Sequence, residues 1–338
     1  MDVERRRIGK SGPEVSVLSL GSWNTYNRML FEDAVALVHD AFDLGVNFFD
    51  TSFYPIGPHE TRSGPHTEVI FGRILEASGI HRDDYILSEK LWFYTYPEQT
   101  LSDQMDRSLY RLNVKRVDLV SVAMPRPELD LVSVLRELGA IINSGRAGMW
   151  GAMNWTAEGL RRADEICARE NLPRPRIIQI KYSPLRRNVV ENEEWTKLFA
   201  ETDITMHTSD SLEGGLLAGK LKPERETGSD NGGIRPRFIE RFAEYKAIAD
   251  RFGATPSQLS LAFCLTHPAT TSILIGASSL DQVRENIGAI ALAKQRGAAI
   301  GEAVAPFSFA DHHTDKAYGG RFAPGDLGGF LGTYKRPG

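Results

Sequence analysis

No run of about 18 consecutive apolar residues occurs anywhere in the 338-residue chain, so a membrane-spanning helix is not expected. Positive charge is not in excess either. Forty Lys and Arg residues stand against forty-four Asp and Glu, a formal charge of -4, so no global field exists to hold a polyanion, and nucleic acid is not an expected partner. Cysteine is scarce: Cys167 and Cys264 both fall inside apolar helical patterns, where a thiol acts as a small buried hydrophobe, and no disulfide is expected. The opening residues Met1 to Lys10 are charged and lack an apolar centre, which makes a cytoplasmic protein the expectation. Asp311, His312, His313 and Asp315 are not accompanied by a further ligand pattern, so no metal is expected there. Finally, no G-x-G-x-x-G turn follows an early strand, which argues against a doubly wound dinucleotide-binding sheet.

What is present is ordinary globular composition, with 41% hydrophobic and 25% charged residues. Short apolar runs rich in β-branched residues predict eight strands: Val15 to Leu20, Val46 to Thr51, Tyr85 to Lys90, Val117 to Val122, Met149 to Met153, Ile177 to Ile180, Ile204 to Thr208 and Ser272 to Ile275. Between them run amphipathic helical patterns. Ala34, Leu37, Val38, Ala41 and Phe42 recur at helical spacing before Gly45, and Leu101, Met105, Leu109 and Leu112 repeat the arrangement, as do Leu131, Leu135, Leu138 and Ile142. Strands each followed by a covering helix build a parallel sheet with right-handed crossovers, and eight such units close into a parallel (β/α)8 TIM barrel. Chemistry in that architecture sits where strands end and loops to helices begin.

Residues 1–305 are read as the barrel and 306–338 as an added C-terminal tail, rich in glycine and aromatics, that closes over the barrel mouth or packs on another subunit. The second arrangement leaves a homo-oligomer open. Glu224 to Arg237, with Gly228, Gly232 and Gly233 beside Arg235 and Arg237, reads as a solvated loop or as a flap over a cofactor.

The second strand ends Asn47-Phe48-Phe49-Asp50-Thr51-Ser52-Phe53-Tyr54, and this resembles the aldo-keto reductase superfamily. The likeness runs roughly from Arg6 to Ala293. It includes Leu20-Gly21-Ser22-Trp23, the stretch Gly64 to Gly72 with Glu68, Lys90, Val117-Asp118-Leu119, Ser144-Gly145-Arg146, Gln179, Gly214 to Lys220, and Ile275-Gly276-Ala277-Ser278 through Asn286. That last stretch looks most like the branch containing the potassium-channel β subunits. The resemblance implies a hydride exchanged between a nicotinamide and a carbonyl carbon while a tyrosine handles the proton. Asp50, Tyr54 and Lys90 are the catalytic candidates it supplies. A free phenol has a pKa of about 10, so a neighbouring ammonium is needed to favour the phenolate; Lys90 can be that ammonium and Asp50 can hold it. The same resemblance implies cofactor contacts from Gly21, Ser22, Trp23, Asp50, Asn154, Gln179, Ser209, Leu212, Gly214, Lys220, Gly276, Ser278, Gln282, Glu285 and Asn286. NADP is the implied cofactor, with NAD open because no lysine stands at Gly276.

Several positions depart from the family pattern. Pro55 occupies the usual tyrosine position, one residue after Tyr54, and Ala123 stands where a histidine is common. Met153 replaces a serine before Asn154, and Ser209 replaces an aromatic ring that stacks on the cofactor. His59 and His66, on the polar loop after the Asp50 strand, are candidate substrate groups, and Trp23, Trp92 and Tyr94 are candidate apolar walls for a small-molecule substrate. Three functions stay open. The chain is an NADP(H)-dependent oxidoreductase acting on a carbonyl or conjugated enone of a small polar, keto-sugar-like metabolite; or a non-redox lyase, dehydratase or isomerase on the same barrel; or a binding protein that senses a nicotinamide cofactor.

Overall fold

A computed structural model describes residues 3–23, 25–53, 66–93, 96–222 and 234–309. The chain opens with β1 (Arg5–Arg7) and β2 (Glu14–Ser16), an antiparallel pair in which Arg6 faces Val15. Eight further strands follow: β3 (Leu18–Gly21), β4 (Phe48–Asp50), β5 (Ile86–Leu91), β6 (Val117–Ala123), β7 (Ala147–Met153), β8 (Ile177–Lys181), β9 (Thr205–Ser209) and β10 (Thr270–Ile275). They close a parallel barrel in the order β10-β3-β4-β5-β6-β7-β8-β9. All eight predicted strands are present within a few residues of their expected limits. The first is the exception in detail: Val15 to Leu20 is not one strand but the end of the hairpin followed by β3. That hairpin closes the N-terminal end of the barrel, where Ile8 and Val15 pack with Phe48, Leu119 and Ile177.

The helices are α1 (Phe31–Asp43), α2 (His66–Ser78), α3 (Leu101–Leu112), α4 (Leu131–Asn143), α5 (Ala157–Arg169), α6 (Glu193–Glu201), α7 (Ile234–Ile239), α8 (Phe242–Arg251), α9 (Pro256–Thr266) and α10 (Leu280–Val304). Side-chain caps fix where several begin. Thr100 and Thr255 form capping boxes with Asp103 and Gln258, while Asp130, Thr156, Asn192 and Ser279 accept from first-turn amides. Each satisfies an amide that the helix itself leaves without a partner. The apolar faces pack outward-pointing strand residues into one large core. Cys167 and Cys264 lie in it as free thiols; burial pushes the first up to about 12 and the second higher still.

Two segments differ from the sequence reading. Residues 234–237, expected as part of a flexible loop, begin α7, with Arg235 buried and its guanidinium donating to the Lys220 carbonyl at 2.9 Å. The start of the tail is also packed: Phe307 lies edge-on to Phe238 and Tyr245, and the Phe309 amide donates to the Leu185 carbonyl. Residues 310–338, with the Asp311 to Asp315 group, lie outside the described residues, as do residues 223–233 of the loop.

Candidate active site

A cleft of about 430 Å³ opens at the C-terminal ends of the barrel strands. Its floor is set by β4 and β5, whose register places Asp50 beside Ser88 and turns Lys90 inward. Asp50 and Lys90 are 2% and 4% exposed, so neither charge is stable there without the other. Their ion pair is direct, and the Lys90 ammonium also donates to the Thr51 carbonyl at 3.2 Å.

Gln179 extends this network from β8. Its amide nitrogen donates to Asp50 Oδ1 at 3.3 Å and to His207 Nδ1 at 3.1 Å. A carboxylate can only accept, so Asp50 fixes the NH2 end of the amide toward itself. His207 lies on β9, fully buried and stacked on Phe48, with Nε2 2.7 Å from Ser19 Oγ. Ser19 in turn donates to the Ile273 carbonyl. The chain of donors leaves one consistent tautomer, the neutral imidazole protonated at Nε2. Burial favours that neutral form and pulls the histidine down to about 4, with Lys90 acting in the same sense and Asp50 against it. The sequence reading did not single out His207. With both amide hydrogens of Gln179 committed, Gln179 Oε1 remains as an acceptor at the cleft.

Asn154 follows β7 at φ +57°, a left-handed conformation that asparagine tolerates better than most residues. Its backbone amide donates to the Gln179 carbonyl at 2.9 Å. Its Oδ1 is buried and has no hydrogen-bond partner among the described residues. Such an atom is costly unless a ligand satisfies it.

Outside the barrel wall, directly behind Lys90, lies a second ionised cluster. Glu89 Oε1 accepts from the Phe53 and Lys90 backbone amides at 3.2 and 2.9 Å. Glu68, on α2, is paired with Arg111 of α3, whose guanidinium covers the Phe53 ring at 4.7 Å. Glu68 Oε1 and Glu89 Oε2 are both buried without a donor. Burial, reinforced by the negative charge of Glu68, raises Glu89 well above the ordinary carboxylate range.

The far side of the cleft is built by the segment after β9. Asp210, Glu213, Gly214, Gly215 and Gly219 all have positive φ. At Gly215, with φ +92°, the conformation itself favours glycine, while a Cβ there would only displace the flexible Lys220 side chain. Beneath it Arg186 and Glu213 form a fully buried pair, with Ser183 also donating to Glu213 at 2.6 Å.

Most of the expected cofactor positions line this one cleft: Gly21, Trp23, Asp50, Asn154, Gln179, Ser209, Leu212, Gly214, Lys220, Gly276, Ser278, Gln282, Glu285 and Asn286. Ser22 does not; it is buried behind the wall, with its hydroxyl donated to Thr51 Oγ1 at 2.9 Å. Trp92 lines the cleft too, its indole N–H donating to Ser52 Oγ at 3.1 Å, and it packs with Met153, Trp23 and Ala123. The position expected for a histidine is therefore part of an apolar wall. Tyr54, His59 and Tyr94 lie outside the described residues, as does the side chain of His66 at the start of α2. Among the described residues no group of His, Cys, Asp and Glu is suited to hold a metal. The cleft also contains Lys181 and Asp210, which the sequence reading missed. Strand alternation was the available signal for Lys181, which must share the inward face of Gln179 two residues earlier.

Residues 17–304 match the model of the aldo/keto reductase family. The chain belongs to that family. A provisionally named voltage-gated potassium channel subunit beta from Schizosaccharomyces pombe is 29% identical over 322 residues, covering 86% of this chain and 88% of its own. A crystal structure provisionally named 2,5-diketo-D-gluconic acid reductase B superposes with a TM-score of 0.67 at 17% identity, covering 91% of this chain and 93% of that one, which bears on the fold alone. Aldo/keto reductases are oxidoreductases that use a nicotinamide cofactor, and the cleft of this aldo/keto reductase fits one. A nicotinamide carboxamide presents an NH2 group, and the unpartnered Asn154 Oδ1 together with Gln179 Oε1 offers the acceptors that such a group needs.

Proposed function

We propose that this aldo/keto reductase binds NADP(H) along the β7 to β10 side of the cleft and reduces or oxidises a carbonyl or conjugated enone of a small polar, keto-sugar-like metabolite. The observation that carries the reading is the buried Lys90–Asp50 pair lying in hydrogen-bond continuity with Gln179, at the floor of a cleft that also holds Asn154. When bound, the reduced nicotinamide supplies the hydride. Asn154 and Gln179 hold its carboxamide, and the adenosine end lies against Ser278, Gln282, Glu285 and Asn286 at the start of α10, where backbone amides favour an anion. Tyr54 gives its phenolic proton to the substrate oxygen. The Lys90 ammonium stabilises the phenolate that remains, and Asp50 keeps the ammonium in place.

Among the described residues the Trp92, Met153 and Ala123 wall offers the substrate no proton, since the Trp92 indole N–H is taken by Ser52, and this favours a substrate that does not need a second donor. An enone, whose charge is delocalised by conjugation, meets that condition. The same wall also supports a second reading, a protein that binds the cofactor as a signal and turns over little. Offering keto-sugars and enones to the NADPH-loaded protein, with absorbance followed at the reduced nicotinamide band and products analysed, separates the two. Turnover in wild type that falls roughly 10²- to 10⁴-fold in both Lys90→Met and Tyr54→Phe supports the oxidoreductase. Binding without any product supports the sensor, and turnover unaffected by Lys90→Met overturns the assigned roles.

A further inference from the structure

Lys181 ends β8, two residues beyond Gln179, and is only 3% exposed. Its ammonium lies 2.9 Å from Oδ2 of Asp210, the residue that follows β9 at φ +52°, and both side chains line the cleft. The neighbouring charges are Arg186 and Glu213, already paired with each other beneath the loop. Burial alone would lower the ammonium's pKa, and Asp210 opposes that.

Position gives the pair its meaning. The strand order along the rim is β7, β8, β9, β10. Asn154 and Gln179 stand at the β7 and β8 end, and Gly276 and Ser278 follow β10. A dinucleotide that joins these two ends crosses the rim at β8 and β9, and the part of it that crosses is the diphosphate. The Asp210 carboxylate, a quarter exposed, repels that group, and the Lys181 ammonium beside it offsets the repulsion. An ammonium has three N–H donors, of which Asp210 takes one, leaving donors for phosphate oxygens.

We infer that Lys181 is a cofactor-binding residue: it neutralises Asp210 and donates charge-assisted hydrogen bonds to the diphosphate of the bound dinucleotide. This rests on the NADP(H) reading above, and concerns how this chain tolerates a carboxylate on the diphosphate path. Removing the cation alone leaves the carboxylate's repulsion of the diphosphate in place, so it is expected to cost more than removing both charges.

Titration with NADPH, followed by protein fluorescence, tests it in wild type, Lys181→Met, Asp210→Asn and the double variant. Adenosine 2′-monophosphate, which lacks the diphosphate, serves as the reference ligand, and thermal melting confirms that each variant folds. Lys181→Met is expected to raise the Kd for NADPH roughly 10- to 100-fold while leaving the monophosphate nearly unchanged. Adding Asp210→Asn should recover most of the loss, and Lys181→Arg should keep most of the affinity. The inference is overturned if Lys181→Met binds NADPH as wild type does, if it weakens both ligands alike, or if only the KM of the second substrate moves. Failure of the wild type to bind any nicotinamide dinucleotide would instead remove the underlying cofactor reading.

Discussion

His207 shows how one buried side chain can orient a cleft-lining amide without itself reaching the cleft. Its neutral ring accepts from Gln179 and donates to Ser19, so the Gln179 carbonyl is left for the cleft. The histidine titrates near 4 in the folded chain against 6.5 when unfolded, so between those values the unfolded state binds the extra proton. Stability therefore rises with pH across that window and is lost as pH falls from about 6.5 to 4, by at most about 1.4 kcal/mol per unit. Urea unfolding at a series of pH values is expected to show a shallower acid decline in His207→Gln than in wild type. Equal slopes would mean that the ring is not held neutral. Before the strands are assembled, nothing in Thr205–Ser209 marks this histidine, because its partners come from β3 and β8. Barrel closure brings them together.

At the scale of elements, the junction of β4, β5, α2 and α3 is tied by Glu89, which holds the Phe53 and Lys90 amides and feels the negative charge of Glu68. It fixes the backbone on both sides of the proposed proton machinery, the residue before Tyr54 and Lys90 itself. Replacing Glu89 by leucine leaves the buried Lys90 amide and the half-buried Phe53 amide without this acceptor, at a cost of about 1 to 3 kcal/mol for the buried one. Glu89→Gln keeps the acceptor and is expected to retain the fold. Because Glu89 holds its proton above the ordinary carboxylate range, the folded state binds more protons than the unfolded one there, and stability falls as pH rises. Denaturation curves for Glu89→Gln should lose part of that decline above the ordinary carboxylate range, whereas an unchanged curve would show that Glu89 is ionised in the folded chain. The barrel strands were legible because β-branched runs carry their own period. The β1–β2 hairpin was not, since Arg5–Arg7 is charged throughout and each strand is three residues long. Lys90 and Asp50 were legible as strand-end residues; Glu89 faces outward, where a carboxylate reads as surface until α2 and α3 cover it.

Taken as a whole, the molecule is a closed parallel barrel of the aldo/keto reductase family whose cleft concentrates its buried charge in compensated pairs: Asp50 with Lys90, Asp210 with Lys181, Glu213 with Arg186. A site assembled from neutral pairs can accept a polyanionic dinucleotide without excess charge on the whole chain, which is consistent with the net value of -4. The family pattern in the sequence led to most of the cleft wall, from Gly21 to Asn286. It missed the Lys181–Asp210 and Arg186–Glu213 pairs, whose partners are brought together from a strand end and the loops after β8 and β9. The most direct measurement is a fluorescence titration of the wild-type protein with NADPH and NADH beside Asn154→Leu, which removes the buried carboxamide acceptor. Saturable binding of NADPH to wild type, weakened roughly tenfold or more in Asn154→Leu, is the expected result. Absence of binding by either nucleotide, or equal affinity in the variant, would contradict the placement of a nicotinamide in this cleft.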